Sequence, residues 1–135
     1  MDNETKEALS KYRFEKAENT LKSAKILFKD VNDYLGANNR AYYAIFYAIR
    51  AVLALEEVDF KRHKNVIAYF NQNYIKTEIF SRKLGKKIAQ AQSIREDSDY
   101  DDKYQISYEK TEQQIKTAED VISEVSKYLI SKEIL

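Results

Sequence analysis

The stretch AYYAIFYAIRAVLAL, residues 41–55, constrains this chain more than any other. Fourteen of its fifteen residues are apolar or aromatic, and the exception is Arg50. A helix that is apolar on every side is a buried one. The run outlasts a strand, which spans about 4–8 residues. It falls short of a membrane span, which takes roughly 18 or more. Arg50 and the hydroxyls of Tyr42, Tyr43 and Tyr47 also fit hydrocarbon poorly. The run is therefore expected at the centre of an all-α bundle, with Tyr43, Phe46, Ile49 and Leu53 among its buried side chains.

Composition supports long helices with few breaks. The 135 residues include no Pro and only two Gly, so turn punctuation is sparse. One domain over residues 1–135 is expected at this length. With no Cys and a single His, disulfides, thiolate metal sites, a cysteine nucleophile and multi-histidine metal sites are excluded. No metal or other cofactor is expected. The first ten residues, MDNETKEALS, lack the basic-then-apolar pattern of a secretion signal, so the cytoplasm is the expected compartment.

The net charge of +1 conceals a gradient. Residues 1–60 hold nine Lys/Arg against ten Asp/Glu; residues 61–95 hold nine against Glu78 alone; residues 96–135 hold five against eleven. The basic middle is either a footprint for a phosphate-bearing partner or a solvated face balanced by its acidic neighbours.

Periodicity predicts four main helices and a short one, packed antiparallel. The first runs from about Glu4 to Leu35, with Phe14, Ala17, Leu21, Ala24, Phe28, Val31 and Leu35 on one stripe. Gly36 is read as its C′ stop, and Asn38 or Asn39 as the cap of the second helix, about Asn39 to Glu57. A short helix starts near Arg62 and ends at Asn71 or Asn73. A fourth, about Glu78 to Arg95, turns Phe80, Leu84, Ile88, Ala91 and Ile94 inward. Residues 96–107, with five acidic residues, read as a loop or frayed end. Ser107 caps the last helix, whose stripe of Tyr108, Thr111, Ile115, Ala118, Ile122, Val125 and Leu129 reaches about Ser131. No Gly-rich phosphate loop is present, which excludes P-loop and dinucleotide-binding classes.

Three features could carry chemistry. Arg50 lies inside the apolar run, where an unpaired charge is expensive; it reads as a structural ion pair, a snorkelling side chain near the helix end, or a site residue. His63 has the one side chain here with an unperturbed pKa near neutrality. Its neighbours Lys61, Arg62 and Lys64 would lower that pKa and could line an anion site; the alternative is a helix cap or an exposed polar residue. Arg95 and Asp99 are four apart, the spacing of an ordinary helical ion pair. On the predicted fourth helix, Arg82 with Lys86 and Lys83 with Lys87 are like-charge i,i+4 pairs that an anion would relieve.

Three segments, taken in order, resemble the HEPN superfamily, particularly its short stand-alone bacterial and archaeal branch. They are NNRAYYAIFYAIRAVL, KRHKNVIAYF and IREDSDY. The resemblance covers nearly the whole chain. It implies a homodimeric helical bundle, and in many members a metal-independent ribonuclease acting as the toxin of a toxin–antitoxin or defence pair. The implied partner is a nucleotidyltransferase antitoxin, which in part of the family nucleotidylates a tyrosine near the motif.

Active members pair an arginine with a histidine four to six residues on. Here Arg95 fits the arginine, and Tyr100 stands where the histidine would be. A phenol with pKa near 10 is a poor base at neutral pH. The expected catalytic set is thus Arg95 with Tyr100 or His63. Arg82, Lys83, Lys86 and Lys87 would hold RNA, and Tyr100 or Tyr104 would accept the modification. The alternative is a non-catalytic module that binds nucleotide or regulates its nucleotidyltransferase partner.

Overall fold

A computed structural model describes residues 2–100 and 105–135, and the side chains of all of these except 99 and 100. The described residues form an all-α antiparallel bundle: α1 (Asn3–Lys29), α2 (Tyr34–Ala54), α3 (His63–Phe70), α4 (Arg82–Tyr100) and α5 (Tyr108–Ser131). A single π-helical turn, Asn71–Ile75, continues α3.

The apolar run sits at the centre as its composition requires. Ala41, Ala44, Ala48 and Ala51 have no exposed surface, and Ile45, Phe46, Ile49, Val52 and Leu53 are buried. The alanines let α1 approach closely, and Ser10 on α1 donates its hydroxyl to the Ala51 carbonyl at 2.7 Å. Tyr43 is an exception to the expected burial. Together with Arg40, Tyr47 and Arg50 it forms a half-buried stripe along α2.

The α1–α2 connection differs from expectation. Helix α1 stops at Lys29, so Val31 and Leu35 are exposed rather than part of the stripe. Asn32 takes the left-handed conformation, φ 57°, which asparagine tolerates better than most residues. Asp33, not Asn38 or Asn39, caps α2 by accepting the Gly36 N–H at 2.9 Å. Gly36 is thus inside α2 and is not a stop. A β-carbon there would lie 2.2 Å from an Asp33 carboxylate oxygen, so glycine makes room for the cap. At its other end α2 stops at Ala54, short of Glu57.

Helix α4 starts at Arg82 instead of Glu78, because Glu78 itself is left-handed at φ 63°. Ser81 Oγ then accepts the Leu84 N–H at 3.1 Å. The helix also runs past Arg95 to Tyr100, into residues expected to form a loop or a frayed helix end. Helix α5 matches its predicted span, with Ser107 accepting the Lys110 N–H at 3.1 Å. From Thr111 to Leu129 its stripe is buried, whereas Tyr108 is exposed and leans on Phe28 and Tyr34. No described helix is long and apolar enough to cross a membrane.

Candidate functional site

Successive residues Tyr42 and Tyr43 on α2 form the floor of an open cleft of about 520 Å³. Its walls are Arg62, His63 and Lys64 at the start of α3, and Gln92, Arg95 and Glu96 near the end of α4. The fold thus brings together His63 and Arg95, thirty-two residues apart in sequence. Among the described residues that line it, Arg62, Lys64 and Arg95 are cationic, against Glu96.

Arg50 holds the segment that delivers His63. Its guanidinium bonds Asp59 at 2.5 Å, and Arg13 on α1 reaches the same carboxylate at 3.4 Å and the Arg50 carbonyl at 3.1 Å. Asp59 also accepts the Phe60 N–H at 2.9 Å. The structural ion pair is therefore the reading the geometry supports for Arg50. Burial, then the Arg50 charge, lowers the pKa of Arg13, while Asp59 opposes this.

From that anchored loop His63 folds back on the aromatic floor. Its ring stacks on Phe46 with centroids 3.9 Å apart and meets Tyr43 edge-on at 5.5 Å. Nδ1 of His63 is buried without a hydrogen-bond partner among the described residues. Burial lowers the His63 pKa first, and the positive charges of Arg95 and Arg50 lower it further. The imidazole is accordingly neutral, and able to accept a proton, at neutral pH.

Arg95 lies over the faces of Tyr42 and Tyr43, its guanidinium carbon 4.9 and 5.5 Å from the ring centroids. It donates a hydrogen bond to the Tyr43 hydroxyl at 3.3 Å. Cation–π contacts of this kind hold a guanidinium without neutralising it. Burial pushes the Tyr42 phenol up to about 12, with Arg95 opposing. Tyr42 is therefore a neutral wall at physiological pH. The cleft offers a fixed cation beside a neutral imidazole, an arrangement suited to a phosphate and a neighbouring proton.

The other sequence-predicted residues lie elsewhere. Lys83 and Lys87 line a separate groove between α4 and α5, where Lys87 bonds Asp120 at 2.6 Å. Arg82 pairs with Glu78 at 3.5 Å, and Lys86 is exposed. None of the four lines the His63–Arg95 cleft. Tyr100 is the last residue of α4, but its side chain falls outside the described residues, as does Tyr104 altogether. Tyr42, Tyr43, Gln92 and Glu96 were not expected as site residues. Adjacent tyrosine hydroxyls on an otherwise apolar helix were the available signal for the first two. Among the described residues no group of three or more His, Asp or Glu side chains converges to hold a metal ion.

Comparison with known proteins identifies the family. Residues 10–128 match the HEPN domain family model. A protein of Methanocaldococcus jannaschii named "Putative toxin MJ0142" is 34% identical over 121 residues, covering 90% of this chain and 82% of its own. A "UPF0332 protein" of Thermotoga maritima is 31% identical over 124 residues, 92% of this chain and 93% of its own. A second M. jannaschii protein, "Putative toxin MJ0605", is 34% identical over 84 residues, 62% of each chain.

Proposed function

Since the chain belongs to the HEPN family, we propose that it is a toxin-type HEPN protein that cleaves RNA without a metal ion. The observation that carries this reading is the common cleft of His63 and Arg95. In it, neutral His63 takes the proton from an RNA 2′-hydroxyl. The freed 2′-oxygen attacks the adjacent phosphorus, and Arg95 steadies the charge that builds on the phosphate oxygens. The bond to the 5′-oxygen breaks, leaving a cyclic phosphate, and that oxygen takes a proton from water. Arg62 and Lys64 attract the flanking phosphates. His63, which reaches the cleft from α3, replaces the histidine that Tyr100 displaces from the usual position on α4.

The setting we infer is a cytoplasmic toxin–antitoxin pair with a nucleotidyltransferase antitoxin; two relatives named as toxins support it. We also infer a homodimer, for which the half-buried Tyr43 and Tyr47 are the part of α2 open to a second copy. Sedimentation showing only monomer at micromolar concentration would remove that part of the reading. The tyrosine at position 100 favours one competitor, a non-catalytic module that binds nucleotide or is modified at Tyr100 or Tyr104 by its partner.

Cleavage of single-stranded RNA by the purified protein separates the two. Arg95→Ala should lower the rate about 10²–10³-fold, and His63→Ala about 10²–10⁴-fold, with melting curves little changed for Arg95→Ala. Because the His63 pKa is lowered, activity that needs its neutral form should be level at pH 7 and fall only on the acid side of the usual histidine value, 6.5. Undiminished cleavage by the double variant would eliminate the site.

A further inference from the structure

The last turns of α4 carry Arg95, yet their sequence opposes a helix end. Glu96 and Asp97 lie there, and carboxylates at a helix C-terminus face the negative end of its dipole. A buried chain of polar side chains compensates. Gln114 on α5 is 1% exposed and donates its amide to the Asn38 side-chain oxygen at 2.9 Å and to the Ala91 carbonyl at 3.1 Å. Asn38 on α2 has no exposed surface and donates to Ser98 Oγ at 3.4 Å. Ser98 in turn donates to the Arg95 carbonyl at 2.8 Å.

Two amides buried this deeply are costly unless paired. An apolar pair of similar shape would hold three helices together about as well. What an apolar pair lacks is the Gln114 bond to the α4 main chain at Ala91 and the Asn38 bond to Ser98, the α4 side chain that donates to the Arg95 carbonyl. Ala91 is also the residue whose carbonyl accepts the Arg95 N–H in an α-helix. None of the three polar residues lines the cleft.

We propose that Gln114, Asn38 and Ser98 are positioning residues for Arg95: they lock the rotation and winding of the last turns of α4 so that the guanidinium stays over Tyr42 and Tyr43. The inference rests on reading the cleft as an anion site only for its functional consequence; the lock itself is testable without RNA.

The decisive variant is Asn38→Leu/Gln114→Met, which removes both amides at similar volume. Its melting temperature should stay near the parent's, because both partners become apolar together. Amide hydrogen exchange at residues 95–98 should speed up by about tenfold or more, as local opening becomes easier. The Arg95 Nε–H resonance, which the Tyr42 and Tyr43 rings should shift in the parent, should move toward its free position. Affinity for a labelled single-stranded oligoribonucleotide should fall about tenfold, and adding Arg95→Ala should then cost little more, since positioning and positioned residues are not additive.

Unchanged exchange and an unmoved Arg95 resonance would overturn the lock. A moved resonance in a parent that binds no oligoribonucleotide would retain the lock and sink the RNA reading instead. If the double variant does not fold, Ser98→Ala, which removes the hydroxyl that accepts from Asn38 and donates to the Arg95 carbonyl, should shift the same resonance in the same direction. A null result there would count against the proposal.

Discussion

Two groups of basic residues come from the same basic third of the chain, and they are built differently. Arg82, Lys83, Lys86 and Lys87 cluster because they are neighbours on one helix. They meet water or nearby carboxylates such as Glu78 and Asp120. Arg62, His63, Lys64 and Arg95 cluster because two helices end over a third. His63 and Arg95 stand on aromatic rings, and among the described residues Glu96 is the one carboxylate lining the cleft. The first group raises local potential and little more, since exposed pairs contribute roughly 0–1 kcal/mol. The second fixes a cation and a proton acceptor relative to each other. Density of charge along the sequence therefore pointed to the less specific of the two.

The largest expected effect tests the floor beneath the second group. Phe46 is 4% exposed and lies under the His63 ring at 3.9 Å. Phe46→Ala should cost about 3–5 kcal/mol in denaturant melts, the usual range for a buried aromatic. A loss well below 1 kcal/mol would mean that the cleft has no rigid base, and the contrast with the α4 cluster would lose its ground. Exchange of Phe46 for Leu should recover much of the stability while leaving His63 without its stacking partner.

What was legible in the sequence follows the same division. The buried run 41–55 rests on continuous apolar composition and the α1 and α5 stripes on periodicity, both of which one helix expresses by itself. Ser107 was legible as a cap because capping is local. The α1–α2 turn was misread because Gly36 was taken as a stop, whereas the reversal uses Asn32 and the cap is Asp33. The end of α4 was harder to place: the acidic run from Glu96 reads as a loop or frayed end, while the buried amides packed against the last turns come from α2 and α5. Proximity of His63 to Arg95 had no local signature. It depends on Asp59 tethering the loop before α3 to Arg50 and Arg13.

An intermediate effect is expected at Tyr43, which touches both key groups. Its hydroxyl accepts from Arg95 at 3.3 Å while its ring meets His63 edge-on. Tyr43→Phe removes the first contact and keeps the second. Losing one such bond is worth about 0.5–1.5 kcal/mol, or roughly a two- to tenfold loss in RNA affinity or cleavage. Tyr43→Ala should do more, because it also removes the ring from both His63 and Arg95. Equal effects from the two substitutions would assign the role to the hydroxyl alone and reduce the aromatic floor to packing.

The smallest effect should come from the α4 cluster, and its form matters more than its size. Lys83 and Lys86 are exposed, so Lys83→Ala/Lys86→Ala should leave the melting curve within about 0.5 kcal/mol of the parent. If RNA passes near this face, each lysine neutralises a phosphate and releases counterions. Affinity should then weaken about equally for all RNA sequences, and the slope of log affinity against log salt should become shallower by about 1 per lysine. The cleavage rate at saturating RNA should not change, because neither residue lines the cleft. A double variant that binds normally but cleaves slowly would reverse the comparison, making α4's front part of the reacting centre and the His63–Arg95 cleft a docking site.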